Sequence, residues 1–151
     1  MKKHVVVYKE LPEDLLAGLR REFDVTCFED LDAGNRGHFE AALRTAHGLI
    51  GASVRFDDQA FADAPHLEVI STVSVGYDTF DVPALSRRGI VLAHTPGVLT
   101  ETTADTIFAL ILASARRVVE LAELVKAGRW QKSIGEDLYG VDVHSKTIGF
   151  I

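Results

Sequence analysis

LEVISTVSVGYDTFDVPALSRRGIVLAHTPGVLTETTAD, residues 67–105, holds two β-branched runs with a short helical pattern between them. Leu67–Val73 reads as one strand and Ile90–Ala93 as the next. Between them Asp81 stands where a helix N-cap belongs, just ahead of Pro83–Arg88. A strand, a crossover helix and a further strand make the unit of a parallel sheet, because no tight turn can join parallel neighbours.

The same alternation continues toward the N-terminus. His4–Tyr8 reads as a first strand and Pro12–Phe23 as a helix, with Pro12 suited to its first turn and Leu15, Leu16, Leu19 and Phe23 on one face. Val25–Phe28 is a second strand. Gly34 and Gly37 punctuate a loop, and Phe39, Ala42, Leu43 and Ala46 mark a second helix. Gly48-Leu49-Ile50-Gly51 is a short third strand, after which Asp57 or Asp58 would cap a helix through Phe61. Strands and helices alternating in this way imply an α/β fold with helices on both faces of the sheet. The fold class expected for residues 1–99 is therefore a flavodoxin-like, doubly wound parallel sheet.

Beyond Leu99 the pattern changes. Thr102-Thr103-Ala104-Asp105 has the form of a capping box with Asp in place of Glu. A long helix is expected to run on to about Ala127, with Gly128 as its C-cap. Ile107, Ile111, Ser114, Val118, Leu121 and Val125 form one stripe, and Phe108, Leu112, Ala115, Val119 and Ala122 a second beside it. So wide an apolar arc needs two neighbouring bodies, either two domains or two subunits. Residues 100–128 thus read as an interdomain helix. Trp130–Tyr139 reads as an extended arm and Thr147–Ile151 as a sixth strand, where the sequence stops, as expected of a second domain that is truncated.

Composition narrows the function. A chain of 151 residues with 47% hydrophobic and 25% charged residues can bury one real core. Its net charge of -6 leaves no basic surplus for phosphates, which argues against nucleic acid as the main partner. A small anionic substrate would need a local positive site, since the overall field repels it. One cysteine, Cys27, rules out an internal disulfide and reads as a small buried hydrophobe rather than a reactive thiol. Val5–Tyr8 is too short for a signal-peptide core, and Ile107–Ala115 is about half a membrane span, so a cytoplasmic protein with no membrane partner is expected. Neither His-x-x-His nor His-Glu-x-x-His occurs, so no metal site is expected, and no Gly-x-Ser-x-Gly suggests a serine hydrolase. His4, His38, His47, His66 and His144 read as surface or helix-end residues. Lys9-Glu10 after the first strand and Ala52-Ser53 after the third fit neither a phosphate-accepting receiver nor a flavodoxin phosphate loop.

In open α/β sheets ligands bind beyond the carboxyl ends of the strands, and two unusual segments lie there. Ser74-Val75-Gly76-Tyr77-Asp78 follows the fourth strand. Glycine at that point permits a left-handed turn and a close ligand approach, so that successive N–H groups form a concavity suited to a carboxylate. His94-Thr95-Pro96-Gly97-Val98-Leu99-Thr100 follows the fifth and leads to a helix start, where unpaired N–H groups favour an anion or an amide carbonyl. Taken alone, the first segment is more simply an ordinary strand-to-helix turn and the second more simply helix capping by Thr102 or Thr103.

Together the segments resemble one family. Ser71-Thr72-Val73-Ser74-Val75-Gly76-Tyr77-Asp78-Thr79-Phe80-Asp81 and His94-Thr95-Pro96-Gly97-Val98-Leu99-Thr100-Glu101-Thr102-Thr103-Ala104-Asp105 are similar to D-isomer-specific 2-hydroxyacid dehydrogenases. Trp130 and the stretches Ser133–Gly135 and Asp142–His144 resemble the glyoxylate/hydroxypyruvate reductase branch, which includes 2-ketogluconate reductases. The resemblance implies an oxidoreductase that uses NAD or NADP to reduce a small 2-keto acid, and a homodimer. It implies a substrate-binding loop in which the backbone of Val75 and Gly76 holds the carboxylate and Ser74 shapes the loop, with Thr103 and Leu99 approaching the nicotinamide. It makes residues 129–151 a dimer arm plus the first strand of an incomplete Rossmann domain. The family's Gly-x-Gly-x-x-Gly does not occur in these 151 residues, nor do its downstream arginine and Glu–His pair, so no catalytic residue is assigned here and the chain alone is expected to be inactive. The alternative is a non-catalytic binding or assembly protein that keeps a dehydrogenase-like substrate domain.

Overall fold

The computed structural model describes residues 1–56 and 58–150. Five short strands, β1 (His4–Val7), β2 (Asp24–Cys27), β3 (Gly48–Gly51), β4 (Val69–Thr72) and β5 (Val91–Ala93), form one sheet in the order β2-β1-β3-β4-β5. All four neighbouring pairs are parallel, with Val5 beside both Val25 and Gly48, and Ile70 beside both Leu49 and Leu92. This is the flavodoxin-like strand order, and the α/β expectation holds.

Side chains alternate across the strands, and the residues pointing to one face build the core. Val6, Leu49 and Ile70, on the three central strands, are fully buried. Helix α2 (Arg36–Leu43) lays Phe39 and Leu43 on them, and helix α3 (Val82–Arg87) adds Leu85. Phe56, Phe61 and Phe80 fill the space between these elements, and Tyr8 meets Phe39 and Phe56 edge to face at 5.9 and 5.4 Å. Helix α3 starts as its sequence promised: Asp81 accepts a hydrogen bond from the Ala84 N–H at 2.9 Å. The segment expected to be helical through Phe61 is a 3-10 turn, Asp58–Phe61, and Asp57 lies outside the described residues.

The opposite face is covered more thinly. Helix α1 (Glu13–Glu22) brings Leu19 alongside Val5 and Gly48 there, with Phe23 just after it, yet no residue of α1 is buried and Leu15 is exposed. The expected four-residue stripe therefore overstates what α1 covers, because Leu15 lies on its flank. Val69 and Val91, which share this face, are exposed as well. Cys27 is a correction of the same kind: it is exposed, at the end of edge strand β2, where neighbours lie on one side only.

The chain divides into two compact units, Met1–Val98 and a second beginning at Leu99. In the second unit the single long helix of the sequence reading is two helices, α4 (Thr100–Ala115) and α5 (Val118–Lys126). Arg117 between them is left-handed, with φ 55°. The cause lies further along the chain. The Val141 N–H donates to the Ala115 carbonyl at 2.8 Å, and a Cβ on Gly140 would overlap that carbonyl and the Arg116 backbone. Arg117 also donates to the carbonyls of Asp137 and Tyr139 and holds Glu120 with two hydrogen bonds. The returning segment thus takes up the orphan groups of the helix end.

Helix α4 begins at Thr100 with Leu99 as N-cap and no side-chain cap, so the expected Thr102–Asp105 box lies inside the helix rather than at its edge. The end of α5 follows expectation: Gly128 has φ +67°, its N–H donates to the Val125 carbonyl and that of Arg129 to Leu124. Trp130–Tyr139 is irregular apart from a 3-10 turn at Glu136–Leu138. Thr147–Phe150 forms no strand, because a strand needs a ladder partner and none pairs with it among the described residues. Ile151 lies outside them. No helix among the described residues is long and apolar enough to cross a membrane.

Candidate functional site

In a parallel sheet the carboxyl ends of the strands lie on one side, so the chains leaving β4 and β5 emerge as neighbours. Ser71 pairs with Ala93 on the last shared rung. Past it the two loops remain joined, since the Thr95 N–H donates to the Ser74 carbonyl at 3.0 Å. His94 Nδ1 lies 2.8 Å from the Val75 carbonyl oxygen. The Ser74 hydroxyl donates to the Gly76 carbonyl at 2.6 Å and lies 2.7 Å from the Thr72 hydroxyl. Because its own proton is committed to Gly76, Ser74 accepts from Thr72, which is buried at 1% exposure.

These contacts sort the backbone groups of residues 74–76 by type. All three carbonyls are engaged within the first unit. The N–H groups of Ser74, Val75 and Gly76 have no acceptor among the described residues. Ladder pairing stops one residue earlier, where the Val73 N–H donates to the Gly51 carbonyl at 2.8 Å. In a trans peptide the carbonyl of one residue and the N–H of the next point in opposite directions. Pinning the carbonyls of Ser74, Val75 and Gly76 therefore turns the N–H groups of Val75, Gly76 and Tyr77 away from those partners. Successive N–H groups bind an anion where the backbone turns them into one concavity.

The glycine acts differently from the sequence expectation. Gly76 is not in the left-handed region; the left-handed glycine of this pair of loops is Gly97, with φ +79°. A Cβ on Gly76 would come within 3.3 Å of Asp78 Oδ2, so the missing side chain keeps the backbone uncrowded beside that carboxylate. The Asp78 charge opposes an incoming anion.

Val75 and Tyr77 are exposed, and the Tyr77 ring meets that of His94 edge to face at 5.0 Å. Leu99 and Thr103 lie in the second unit, where the Thr103 N–H donates to the Leu99 carbonyl at 2.8 Å in the first turn of α4. Thr72, His94 and Thr95 were not singled out as site residues from sequence. The one signal for His94 was that it alone among the six histidines falls at a strand's carboxyl end. His4, in contrast, is taken up by Thr45 and Thr26 at 2.9 Å each, at the amino end of β1.

The family model for the D-isomer specific 2-hydroxyacid dehydrogenase catalytic domain matches residues 5–134. Over all 151 residues the chain is 57% identical to a glyoxylate/hydroxypyruvate reductase B of Yersinia enterocolitica, of which it covers 46%. It is 56% identical to the protein of the same name from Yersinia pestis, with the same coverage. A crystal structure of a Thermus thermophilus protein superposes with a TM-score of 0.76 at 40% identity, over 93% of this chain and 45% of that one. An NADPH-dependent glyoxylate/hydroxypyruvate reductase from Sinorhizobium meliloti, solved with NADP and malonate, superposes with a TM-score of 0.74 at 25% identity, over 97% of this chain and 45% of that one. The chain thus spans about half the length of the curated relatives it matches.

Proposed function

The chain belongs to the D-isomer specific 2-hydroxyacid dehydrogenase family, and from that premise we propose that it is the N-terminal part of an NAD(P)H-dependent reductase of 2-keto acids. The substrates of the whole enzyme are small acids such as glyoxylate, hydroxypyruvate and 2-ketogluconate, and the products are D-2-hydroxy acids. Identity of 57% to a glyoxylate/hydroxypyruvate reductase supports this branch. The observation that carries the reading is the state of residues 74–76: carbonyls engaged, N–H groups unspent. Val75 and Gly76 hold the substrate carboxylate through those amides, and Ser74 fixes the loop.

The residues present fit one end of a nicotinamide cofactor. Leu99 and Thr103 stand at the first turn of α4, which has no side-chain cap, so its leading N–H groups suit an amide carbonyl. When bound, the nicotinamide supplies the hydride. No Gly-x-Gly-x-x-Gly occurs in the sequence to cradle the pyrophosphate. The 151 residues by themselves are therefore inactive, and the assembled enzyme is a cytoplasmic homodimer. The exposed apolar side chains of α4 and α5, Phe108 and Val119 among them, support burial against another body.

The test is to extend the reading frame past Ile151 and assay both products for NADH or NADPH oxidation with the three acids. The expected outcome is a Gly-x-Gly-x-x-Gly within about ten residues, turnover by the extended chain and none by the 151-residue chain. A frame that closes without those glycines refutes the enzyme reading in favour of a binding protein.

A further inference from the structure

We propose that His94 is a positioning residue, whose Nδ1–H fixes the Val75 carbonyl and so aims the Gly76 N–H at the ligand. The inference rests on the reading of residues 74–76 as the carboxylate site. A carbonyl oxygen can only accept, and His94 Nδ1 is 2.8 Å from that of Val75. The proton of a neutral imidazole must then sit on Nδ1, leaving Nε2 as an acceptor. The Val75 carbonyl and the Gly76 N–H belong to one rigid peptide unit, so a hydrogen bond that fixes the first fixes the direction of the second.

Two features make this more than an incidental contact. Of the three pinned peptide units, the one before Val75 is held by a backbone donor, the Thr95 N–H, and the one after Gly76 by the Ser74 hydroxyl backed by buried Thr72. The middle unit depends on His94 alone. Its ring also packs against the Tyr77 ring, edge to face at 5.0 Å. Were His94 to lose its donor, the flanking units would stay fixed while the Val75–Gly76 peptide became free to rotate. Binding would then require that rotation to be frozen again, and affinity would fall while the fold stayed intact.

The experiment uses the full chain, labelled with 15N, and oxamate, a 2-oxo carboxylate that does not form imines with lysine. Ring 15N spectra of His94 are expected to show Nδ1 protonated and Nε2 bare at a pH where the ring is neutral. Oxamate is expected to shift the Val75 and Gly76 amide signals of the parent chain. His94→Leu should weaken oxamate binding by roughly tenfold, or about 1.4 kcal/mol, with the amide signals of β1 and β3 unmoved. His94→Asn, whose amide nitrogen takes the place of Nδ1, should restore affinity to within about threefold. An Nε2–H tautomer, or equal oxamate affinity for His94→Leu and the parent, overturns the role of His94 and leaves the carboxylate site standing. Absence of any shift at Val75 and Gly76 in the parent chain overturns both.

Discussion

The two units of this chain bury their apolar residues very differently. In the first, three central strands place Val6, Leu49 and Ile70 at full burial beneath α2, α3 and a set of phenylalanines. In the second, α4 and α5 carry two apolar stripes, and neither helix has a single buried residue. Contiguous apolar surface left exposed is the kind of feature that marks interaction sites in proteins generally. The first unit is a compact sheet scaffold from which the two loops extend. In the second, the Val141 N–H donates to the Ala115 carbonyl, and Arg117 pairs with Glu120.

The contrast is sharpest in truncations of large apolar residues. Leu49→Ala, in the fully buried centre of β3, should cost about 2–5 kcal/mol in urea denaturation of the first unit. A loss below about 1 kcal/mol would mean that the core is looser than its burial implies. Tyr8→Phe is a subtler probe of the same core. The Tyr8 hydroxyl is buried without a hydrogen-bond partner among the described residues, and burial pushes its phenol well above the ordinary range. Removing that oxygen should leave stability unchanged or raise it by up to about 1 kcal/mol. A clear destabilisation would show that the hydroxyl has a partner such as a trapped water. Phe108→Ala, on exposed α4, should change stability by no more than about 0.5 kcal/mol while the chain is monomeric. If the same change disrupts a dimer detected by light scattering, the bare stripe is an interface.

The ease of reading the sequence follows the same division. Strands and crossover helices of the first unit were visible because short β-branched runs and caps such as Asp81 act locally. The interruption at Arg116 and Arg117 was not visible. Ala115-Arg116-Arg117-Val118 contains no glycine or proline, and the break comes from Gly140 and Val141, more than twenty residues away. The β-branched run from Thr147 forms no strand, because β-propensity alone does not supply a ladder partner. At the site, glycine and strand-end position marked residues 74–76. The engagement of the Val75 and Ser74 carbonyls by His94 and Thr95 was hidden because the partners lie 19 or more positions apart in sequence.

Whether the unspent amides recognise charge is settled most directly by titrating the labelled chain with oxamate and, in parallel, with oxamide, which is the same molecule with its carboxylate replaced by a neutral amide. The expected result is saturable movement of the Val75 and Gly76 amide signals by oxamate, with a dissociation constant on the order of millimolar, about 4 kcal/mol, and no saturable movement by oxamide. Equal responses to both compounds, or oxamate shifts that map elsewhere on the sheet, would contradict a carboxylate site at these residues.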